Sequence, residues 1–256
     1  MKKKRMIFSL LFDDGNFILS RNFNRQSVGD LNWLDKNYNF NNISKYIDEM
    51  IILNISNNRS SLNKKKFIFS IKYLSQKCFM PVSAGGGIRS INDAKELLNS
   101  GADKIILNTE ITNMKLVKKL ALDFGRQCIV GSLDFKKMSK LNYSIYVKNG
   151  SQKVNSTTKQ YIKKINQKYV GELFINSIDK DGTGTGLDFD ILNYFKNNKI
   201  PIIFQGGVGN ASHFVEGLSN KQVDAVSTAN LLNFIGDGIK QARSKILKKN
   251  INIPLR

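Results

Sequence analysis

Short, nearly continuous apolar runs alternate along this chain with longer amphipathic segments. Residues 6–12 predict a first strand and residues 49–54 a second, whereas residues 66–76 repeat apolar positions at helical spacing. Strands that alternate with helices in this way predict a parallel sheet covered by helices. Further strands are predicted at residues 81–84, 102–108, 128–134, 172–177, 201–205 and 223–227, and further helices at residues 94–99, 114–124 and 158–167.

Two of the predicted strands run into glycines and then into a helix cap. Gly85-Gly86-Gly87 is followed by Ser90, with Asp93 three residues later, and Gly206-Gly207 is followed by Asn210. Glycine lets the main chain approach an anion closely, and the free N–H groups of a helix start favour phosphate. Two similar halves, each with a phosphate loop, predict a (β/α)8 barrel built from two half-barrel repeats.

Other segments depart from the regular alternation. Residues 21–42 are a long polar stretch containing Trp33, which on a barrel is a candidate lid, with an unordered loop as the equal alternative. A short helix is predicted from residue 43 to 47 and a closing helix from 236 to 249. Residues 135–154 predict an inserted hairpin with a turn at Asn149-Gly150. We expect one barrel domain over residues 1–256 that carries this insertion.

Composition removes several function classes. No apolar run approaches the roughly 20 residues of a membrane span, and no cleavable signal pattern opens the chain, which predicts a soluble cytoplasmic protein. Cys78 and Cys128 stand in apolar surroundings and are expected to be buried, reduced thiols. His213 is the only histidine, so a histidine-based triad or histidine-rich metal site cannot be built. No metal or cofactor is expected.

The formal charge of +20 comes from lysines scattered over the predicted outer helices. A nucleic-acid-binding face would gather basic and aromatic residues on one surface, and no such gathering is visible. The charge would attract phosphorylated substrates or an acidic partner. We therefore expect no nucleic-acid or membrane partner and a phosphorylated small-molecule substrate.

Asp134 is the strongest catalytic candidate that the pattern alone provides. It ends an apolar strand, and carboxylates at the carboxyl ends of barrel strands are where catalytic groups sit in this architecture. Residues 178–186 are too rich in small, acidic and hydroxyl residues for a passive connector. Asp179-Lys180-Asp181-Gly182 also mimics the start of a calcium loop, but the downstream glutamate is missing.

Several motifs in order resemble HisF, the cyclase subunit of imidazole glycerol phosphate synthase. The resemblance covers nearly the whole chain and implies the two-phosphate barrel already predicted. Its segments are Arg5-Met6-Ile7, Gly85-Gly86-Gly87-Ile88-Arg89-Ser90, Gly101-Ala102-Asp103-Lys104, Asp179-Lys180-Asp181-Gly182-Thr183, Gly206-Gly207-Val208-Gly209-Asn210 and Pro254-Leu255-Arg256.

The resemblance implies an enzyme that receives ammonia from a glutaminase (HisH-like) subunit docked at the amino-terminal end of the barrel. Four charged residues match the family's ammonia gate at that end, and a purely structural salt-bridge ring is the alternative role. The resemblance also implies phosphate contacts from both halves, in which Asn230 replaces a serine. The gate residues are Arg5, Glu49, Lys104 and Glu172, and the phosphate-binding residues are Gly86, Gly87, Asn108, Thr109, Asp181, Gly182, Thr183, Gly206, Gly207 and Asn230.

The departures from the family lie at the opposite end of the barrel. The family uses two aspartates as general acid and base, and Asp134 matches the second while Leu11 stands at the first. Leucine cannot transfer a proton. Leu19 stands at the family's first-loop lysine, Asn54 at an aspartate and Gln205 at a small hydroxyl residue.

Retained gate and phosphate residues beside a rewritten acid–base centre indicate a changed substrate. The chain resembles divergent HisF-like members that accompany acetamidino modification of surface-polysaccharide sugars, where a separate sugar amidotransferase takes the nitrogen. Two alternatives stay open: imidazole glycerol phosphate synthesis in histidine biosynthesis, and a non-catalytic activator of the glutaminase that binds a phosphometabolite.

Overall fold

The computed structural model describes residues 3–38, 40–230 and 237–254. In the described residues, the strands are β1 (Arg5–Asp13), β2 (Asn16–Arg21), β3 (Asn24–Gly29), β4 (Glu49–Asn54), β5 (Val82–Gly85), β6 (Lys104–Leu107), β7 (Ile129–Ser139), β8 (Asn142–Val147), β9 (Gln152–Lys153), β10 (Glu172–Ser177), β11 (Ile202–Gln205) and β12 (Ala225–Thr228). Eight of these strands run parallel and close on themselves in the order β1, β4, β5, β6, β7, β10, β11, β12 and back to β1, which confirms the predicted barrel.

Helices lie between the barrel strands. Most of them begin at a short polar residue whose side-chain oxygen accepts a hydrogen bond from a main-chain N–H in the first turn. At the start of α4, the side chains of Ser90 and Asp93 form a reciprocal capping box, as their spacing predicts. The helices are α1 (Leu31–Asn37), α2 (Phe40–Ile43), α3 (Ser61–Lys77), α4 (Ile91–Asn99), α5 (Met114–Phe124), α6 (Thr158–Lys164), α7 (Ala211–Ser219) and α8 (Gly238–Lys248), with 3-10 turns at Thr109–Thr112, Arg126–Cys128 and Phe189–Phe195.

The barrel strands are apolar on both faces because both faces are buried. Outward side chains pack under the helices in one large cluster, whereas inward side chains form a separate layer inside the barrel. This layer takes one residue from each of seven strands, as is typical of a packed barrel interior. Its members are Ile7, Ile51, Ile106, Val130, Phe174, Ile203 and Ala225, all buried.

The polar stretch at residues 21–42 is not the long loop or lid that the pattern predicts. β2 and β3 form an antiparallel ribbon, and α1 follows at once. Asp30 starts this helix by accepting a hydrogen bond from the Trp33 main-chain N–H at 2.9 Å, and Leu34 is completely buried. Polar residues on the exposed side of the ribbon hid this structure from a pattern-based interpretation.

Two predicted helix boundaries are also wrong. The helix expected at residues 43–47 lies earlier, as α2, and ends at Ile43. The helix expected to continue to residue 167 ends at Lys164. The predicted start of the closing helix at Gly236 and the matched residues Leu255 and Arg256 lie outside the described residues.

The segment for which a hairpin was expected contains the end of β7, all of β8, and β9. β7 runs to Ser139 and pairs antiparallel with β8, which turns back into β9. Lys148, Asn149 and Gly150 all have positive φ at this second turn, at 53°, 56° and 76°.

None of the described helices is long and apolar enough to cross a membrane.

Candidate functional site

A cavity of about 650 Å³ lies over the carboxyl ends of the barrel strands. Its floor is polar and comes from the inward positions two or four residues beyond the apolar layer. Asp134 of β7, Asn176 of β10 and Gln205 of β11 all line it and are all buried. The barrel geometry therefore gathers residues that are up to 71 positions apart in the sequence into one site.

Asp134 is held by amides in an environment that favours its protonated form. Asn108 Nδ2 donates to Asp134 Oδ2 at 3.0 Å. Burial raises the pKa of Asp134 to about 7, the Asn176 amide opposes the rise, and the charge of Asp181 adds to it. A carboxyl with a pKa near neutrality can both take up and release a proton at physiological pH.

Asp181 is a second buried carboxyl in the same cavity. Its Oδ2 accepts from Ser20 Oγ at 2.6 Å and from the Phe23 main-chain N–H at 3.1 Å. Burial raises the pKa of Asp181, against both of these hydrogen bonds. Its own main-chain N–H is bonded to the Ser177 carbonyl, so a phosphate contact would require the protonated side chain.

The four residues that the sequence analysis predicts to depart from the HisF pattern lie in this region, but not all in one place. Leu11, Asn54 and Gln205 line the main cavity, whereas Leu19 lines a neighbouring one. Asn54 Oδ1 accepts from the main-chain N–H of Ser56 at 3.0 Å and shapes the loop after β4. Gln205 Oε1 is buried and has no hydrogen-bond partner within the described chain, so it can accept from a ligand.

The first predicted phosphate loop opens into the main cavity. Gly86 and Gly87 have φ of 105° and 80°, and a Cβ on Gly86 would lie 2.0 Å from the Asn54 carbonyl oxygen. Only glycine allows the loop to pass that close. Asn108 and Thr109 line the same cavity, and Thr109 Oγ1 accepts from the Lys148 main-chain N–H at 3.3 Å.

The second predicted phosphate loop opens into a neighbouring cavity of about 300 Å³. Gly182, Gly206, Gly207 and Asn230 line it together with Asp181, which borders both cavities. Thr183 does not line either cavity; its Oγ1 donates to the Lys180 carbonyl at 2.8 Å. The structure thus brings the residues of the second loop together, apart from Thr183.

The four predicted gate residues form a closed ring of ion pairs at the other end of the barrel. Arg5 Nη1 lies 2.6 Å from Glu49 Oε1 and 3.1 Å from Glu172 Oε1. Lys104 Nζ lies 3.1 Å from Glu49 Oε2 and 3.2 Å from Glu172 Oε1. Each cation therefore contacts both carboxylates, just below the apolar layer.

The remaining candidates have structural positions. Cys78 is buried and Cys128 is half-buried, and both are free thiols. His213 Nδ1 accepts from the Gly209 main-chain N–H at 3.1 Å, beside the cap of α7. Across residues 3–38, 40–230 and 237–254, no three His, Cys, Asp or Glu side chains gather as a metal site would require.

Sequence reasoning missed the cations around the main cavity. Arg25, Arg59, Arg89 and Lys148 all line it and come from four separate segments. Arg89 directly follows the glycine loop, which was a usable signal. The other three lie in stretches whose path over the barrel only the structure reveals.

Comparisons with known proteins agree with this architecture. The family model described as "Histidine biosynthesis protein" matches residues 21–236. The chain is 44% identical over 247 residues to "Putative imidazole glycerol phosphate synthase subunit hisF2" of Parasynechococcus marenigrum (strain WH8102), covering 96% of this chain and 91% of that one. It is 33% identical over 259 residues to "Imidazole glycerol phosphate synthase subunit HisF" of Clostridium botulinum (strain 657 / Type Ba4), covering 100% of both chains.

A third relative, "Imidazole glycerol phosphate synthase subunit HisF" of Streptococcus mutans serotype c (strain ATCC 700610 / UA159), is 31% identical over 256 residues, 99% of this chain and 100% of that one. The match to the Clostridium botulinum protein covers the whole chain, whereas the family model begins at residue 21, after β1 and Arg5. The chain belongs to the HisF family of histidine biosynthesis proteins.

Proposed function

We propose that this chain is the synthase subunit of a glutamine amidotransferase complex. It receives ammonia from a glutaminase partner and supports acetamidino formation on a surface-polysaccharide sugar. The observation that carries the proposal is the contrast between the two ends of the barrel. One end has a complete ring of four paired charges, and the other has Asp134 facing a cavity in which Leu11 stands where the resemblance implies the first catalytic aspartate.

The ring supports delivery of nitrogen through the barrel. Arg5 and Lys104 each bridge Glu49 and Glu172, so the ring can open only when a cation leaves a carboxylate. Above it, the apolar layer would solvate ammonium poorly, so nitrogen that crosses the layer would have to cross as neutral ammonia. A HisH-like glutaminase docked at this end would supply ammonia directly below the ring.

The cavity supports a different acceptor from the one that the relatives' names imply. The resemblance implies two aspartates, one in each half-barrel, that act as general acid and base, and Leu11 at the first position cannot transfer a proton. Leu19 adds no cation, and Gln205 places a large amide with an unpaired oxygen in the floor. An acceptor that needs hydrogen bonds more than paired acid–base groups fits this floor better.

Asp134 would act on the arriving nitrogen. With a pKa near 7 it is partly ionised at physiological pH and can take a proton from ammonium or orient ammonia. The phosphate loops at Gly87 and Gly207 would hold a phosphorylated ligand over it. We place the chain in the cytoplasm, with a sugar amidotransferase as a further partner.

Transfer of isotope from glutamine tests the proposal. Glutamine labelled with ¹⁵N in its amide is given to the glutaminase, the sugar amidotransferase and the candidate sugar nucleotide, with and without this chain. The proposal expects label in the sugar only when this chain is present. Equal labelling without the chain would contradict it. If the Asp134→Asn variant gives as much label in the sugar as the wild-type chain, Asp134 has no chemical role. The chain would then act only by activating the glutaminase.

Imidazole glycerol phosphate synthesis is the second candidate, and the names of the relatives favour it. Loss of one acid or base typically reduces the rate by about a hundredfold to ten-thousandfold. Expression of this chain in a histidine auxotroph that lacks its own HisF distinguishes the two functions. Growth would support histidine biosynthesis, and no growth with a soluble, folded chain would support the proposed acceptor.

A further inference from the structure

Two amide oxygens in the floor of the main cavity are buried without a hydrogen-bond partner in the described part of the chain. They are Oδ1 of Asn176 and Oε1 of Gln205, whose residues are only 6% and 3% exposed. Both residues line the cavity. Because a buried acceptor that stays unpaired is destabilising, these oxygens favour a ligand that brings hydrogen-bond donors.

Asp134 places a third acceptor beside these two oxygens. In the parallel register of the barrel, Asn176 of β10 pairs with Asp134 of β7 on one side and with Gln205 of β11 on the other. Neighbouring strands lie about 4.8 Å apart, so the three residues occupy one level of the inner wall. We call Asp134, Asn176 and Gln205 the oxygen triad.

The amide of Asn176 has a defined orientation within the oxygen triad. Its NH2 group donates to the Asp134 carboxyl, and this hydrogen bond opposes the effect of burial on the pKa of Asp134. Its Oδ1 lies toward β11, since a Cβ on Gly206, the residue after that strand, would be 3.2 Å from it. With Asp134 ionised, the oxygen triad offers three acceptors: a carboxylate and two amide oxygens.

The inward side chains of two strands on another part of the wall bond to each other instead. Ser9 of β1 and Ser227 of β12 are completely buried, and their hydroxyl oxygens lie 2.6 Å apart in a hydrogen bond. Among the described inward residues just beyond the apolar layer, side-chain oxygens without a partner therefore occur on β10 and β11 only, next to Asp134.

The oxygen triad lies where nitrogen would leave the apolar layer. Asn176 and Gln205 follow Phe174 and Ile203 by two residues on the same strands, and Phe174 and Ile203 belong to that layer. Alternate residues of a strand point to the same face, so Asn176 and Gln205 are the next inward side chains along β10 and β11. Ammonia that crosses the layer beside these strands would meet their oxygens first.

We propose that the oxygen triad is a holding site for the delivered nitrogen, which donates its N–H groups to Asp134, Asn176 and Gln205. Ammonia has three N–H groups and one lone pair, so three acceptors on one wall leave the lone pair free for the ligand in the cavity. This inference rests on the proposed passage of ammonia and adds the residues that position the nitrogen before its transfer. Asn176 and Gln205 are then positioning residues that act through their side-chain oxygens.

Binding of ammonium to the full chain tests the site without a glutaminase or a sugar. The ¹⁵N-labelled chain is titrated with ammonium chloride at pH 8, where most of Asp134 is ionised, and the side-chain NH2 signals of Asn176 and Gln205 are followed by NMR. Potassium chloride at equal concentrations is the control, because potassium carries the same charge and no N–H donor. We expect both signals to shift and saturate with ammonium at concentrations at which potassium leaves them unchanged. No saturation with ammonium, or the same shifts with both salts, would overturn the proposal.

Matched substitutions at Gln205 separate the effect of its oxygen from that of its size. Gln205→Leu removes the oxygen at similar volume and should weaken ammonium binding, followed at Asn176, about tenfold, as loss of a hydrogen bond to a charged group does. Gln205→Glu keeps an oxygen there and should bind ammonium at least as tightly as wild type. Gln222→Leu, at an exposed position that does not line the main cavity, should leave the titration unchanged.

Unchanged binding in Gln205→Leu, or equal weakening in Gln205→Leu and Gln205→Glu, would overturn the role of the Gln205 oxygen. The titration involves no transfer to a sugar. Failure of the holding site is therefore distinguishable from failure of the proposed function, which is measured by the isotope content of the sugar.

Discussion

At the scale of the residue, the candidate site is centred on Asp134. Its carboxyl is buried among amides, so ionisation is costly and its pKa rises to about 7. That it ends an apolar strand could be read from the sequence. Its hydrogen bond with Asn108 could not, because Asp134 lies in β7 and Asn108 follows β6, and only the pairing of these two strands brings them together.

Asp134→Asn should change how stability depends on pH. The folded-state pKa of Asp134 lies above the value of an exposed aspartate, so its stabilising effect is complete below about pH 4 and is lost as pH rises through 7. Asparagine does not ionise, so the variant does not lose this stabilisation as pH rises. Relative to wild type, its free energy of unfolding should therefore be higher at pH 8 than at pH 5, by a few kcal/mol at most. Urea unfolding at pH 5 and 8 measures the difference. An identical pH dependence in both proteins would contradict the raised pKa.

Leu11→Asp should raise the pKa of Asp134 further. Both positions line the same cavity, and a second carboxylate there disfavours ionisation of the first. The carboxyl carbon signal of Asp134 can be followed by NMR titration, with Leu11→Asn as the matched neutral control. An upward shift in Leu11→Asp that is absent in Leu11→Asn is expected. If Asp134 titrates with the same midpoint in both variants, a charge at position 11 does not interact with its carboxyl.

At the scale of the element, the regular βα units were predictable and the irregular segments were not. The strand that ends at Asp134 and the capping box at Ser90 follow from local pattern and spacing. The strand β3, which pairs with β2 at positions such as Gly29 and Phe17, was missed because its exposed side chains are polar. The ion-pair ring needed the barrel to join residues from four strands.

Gly86→Ala should destabilise the first phosphate loop much more than Gly184→Ala destabilises its own loop. Both glycines have positive φ, 105° and 67°. A Cβ at Gly86 meets main-chain atoms of Asn54, the nearest at 2.0 Å, whereas at Gly184 the nearest atom is 3.6 Å away. We expect a loss of about 1 kcal/mol for Gly184→Ala and at least about 3 kcal/mol for Gly86→Ala, measured by urea unfolding. Equal losses would show that the loop tolerates a side chain.

At the scale of the whole molecule, the barrel separates a charged entrance from a reactive cavity. The ring of Arg5, Glu49, Lys104 and Glu172 closes one end, the apolar layer fills the middle, and Asp134 lies at the far end. Under the proposed function, nitrogen would have to cross this apolar layer as neutral ammonia. A substitution in the ring could therefore impair the passage of ammonia while it leaves the residues of the main cavity unchanged.

Lys104→Met should impair the glutamine-dependent reaction more than the reaction with added ammonium salt. Removing this cation leaves Glu49 and Glu172 bridged by Arg5 alone, which leaves two poorly compensated carboxylates at the entrance. Lys163→Met, which removes a lysine from the exposed last turn of α6, is the control for lost charge. Rates with glutamine and with ammonium salt give the comparison. An equal loss with both nitrogen sources would assign the ring a structural role.

Competition between two nitrogen sources tests passage through the barrel most directly. The assembled complex is supplied with amide-¹⁵N glutamine in the presence of a large excess of unlabelled ammonium, and the isotope content of the aminated product is measured. Passage through the barrel predicts a product that keeps nearly all of the amide label in the wild-type complex and is diluted in Lys104→Met. A wild-type product already diluted to the isotope ratio of the surrounding solution would contradict it.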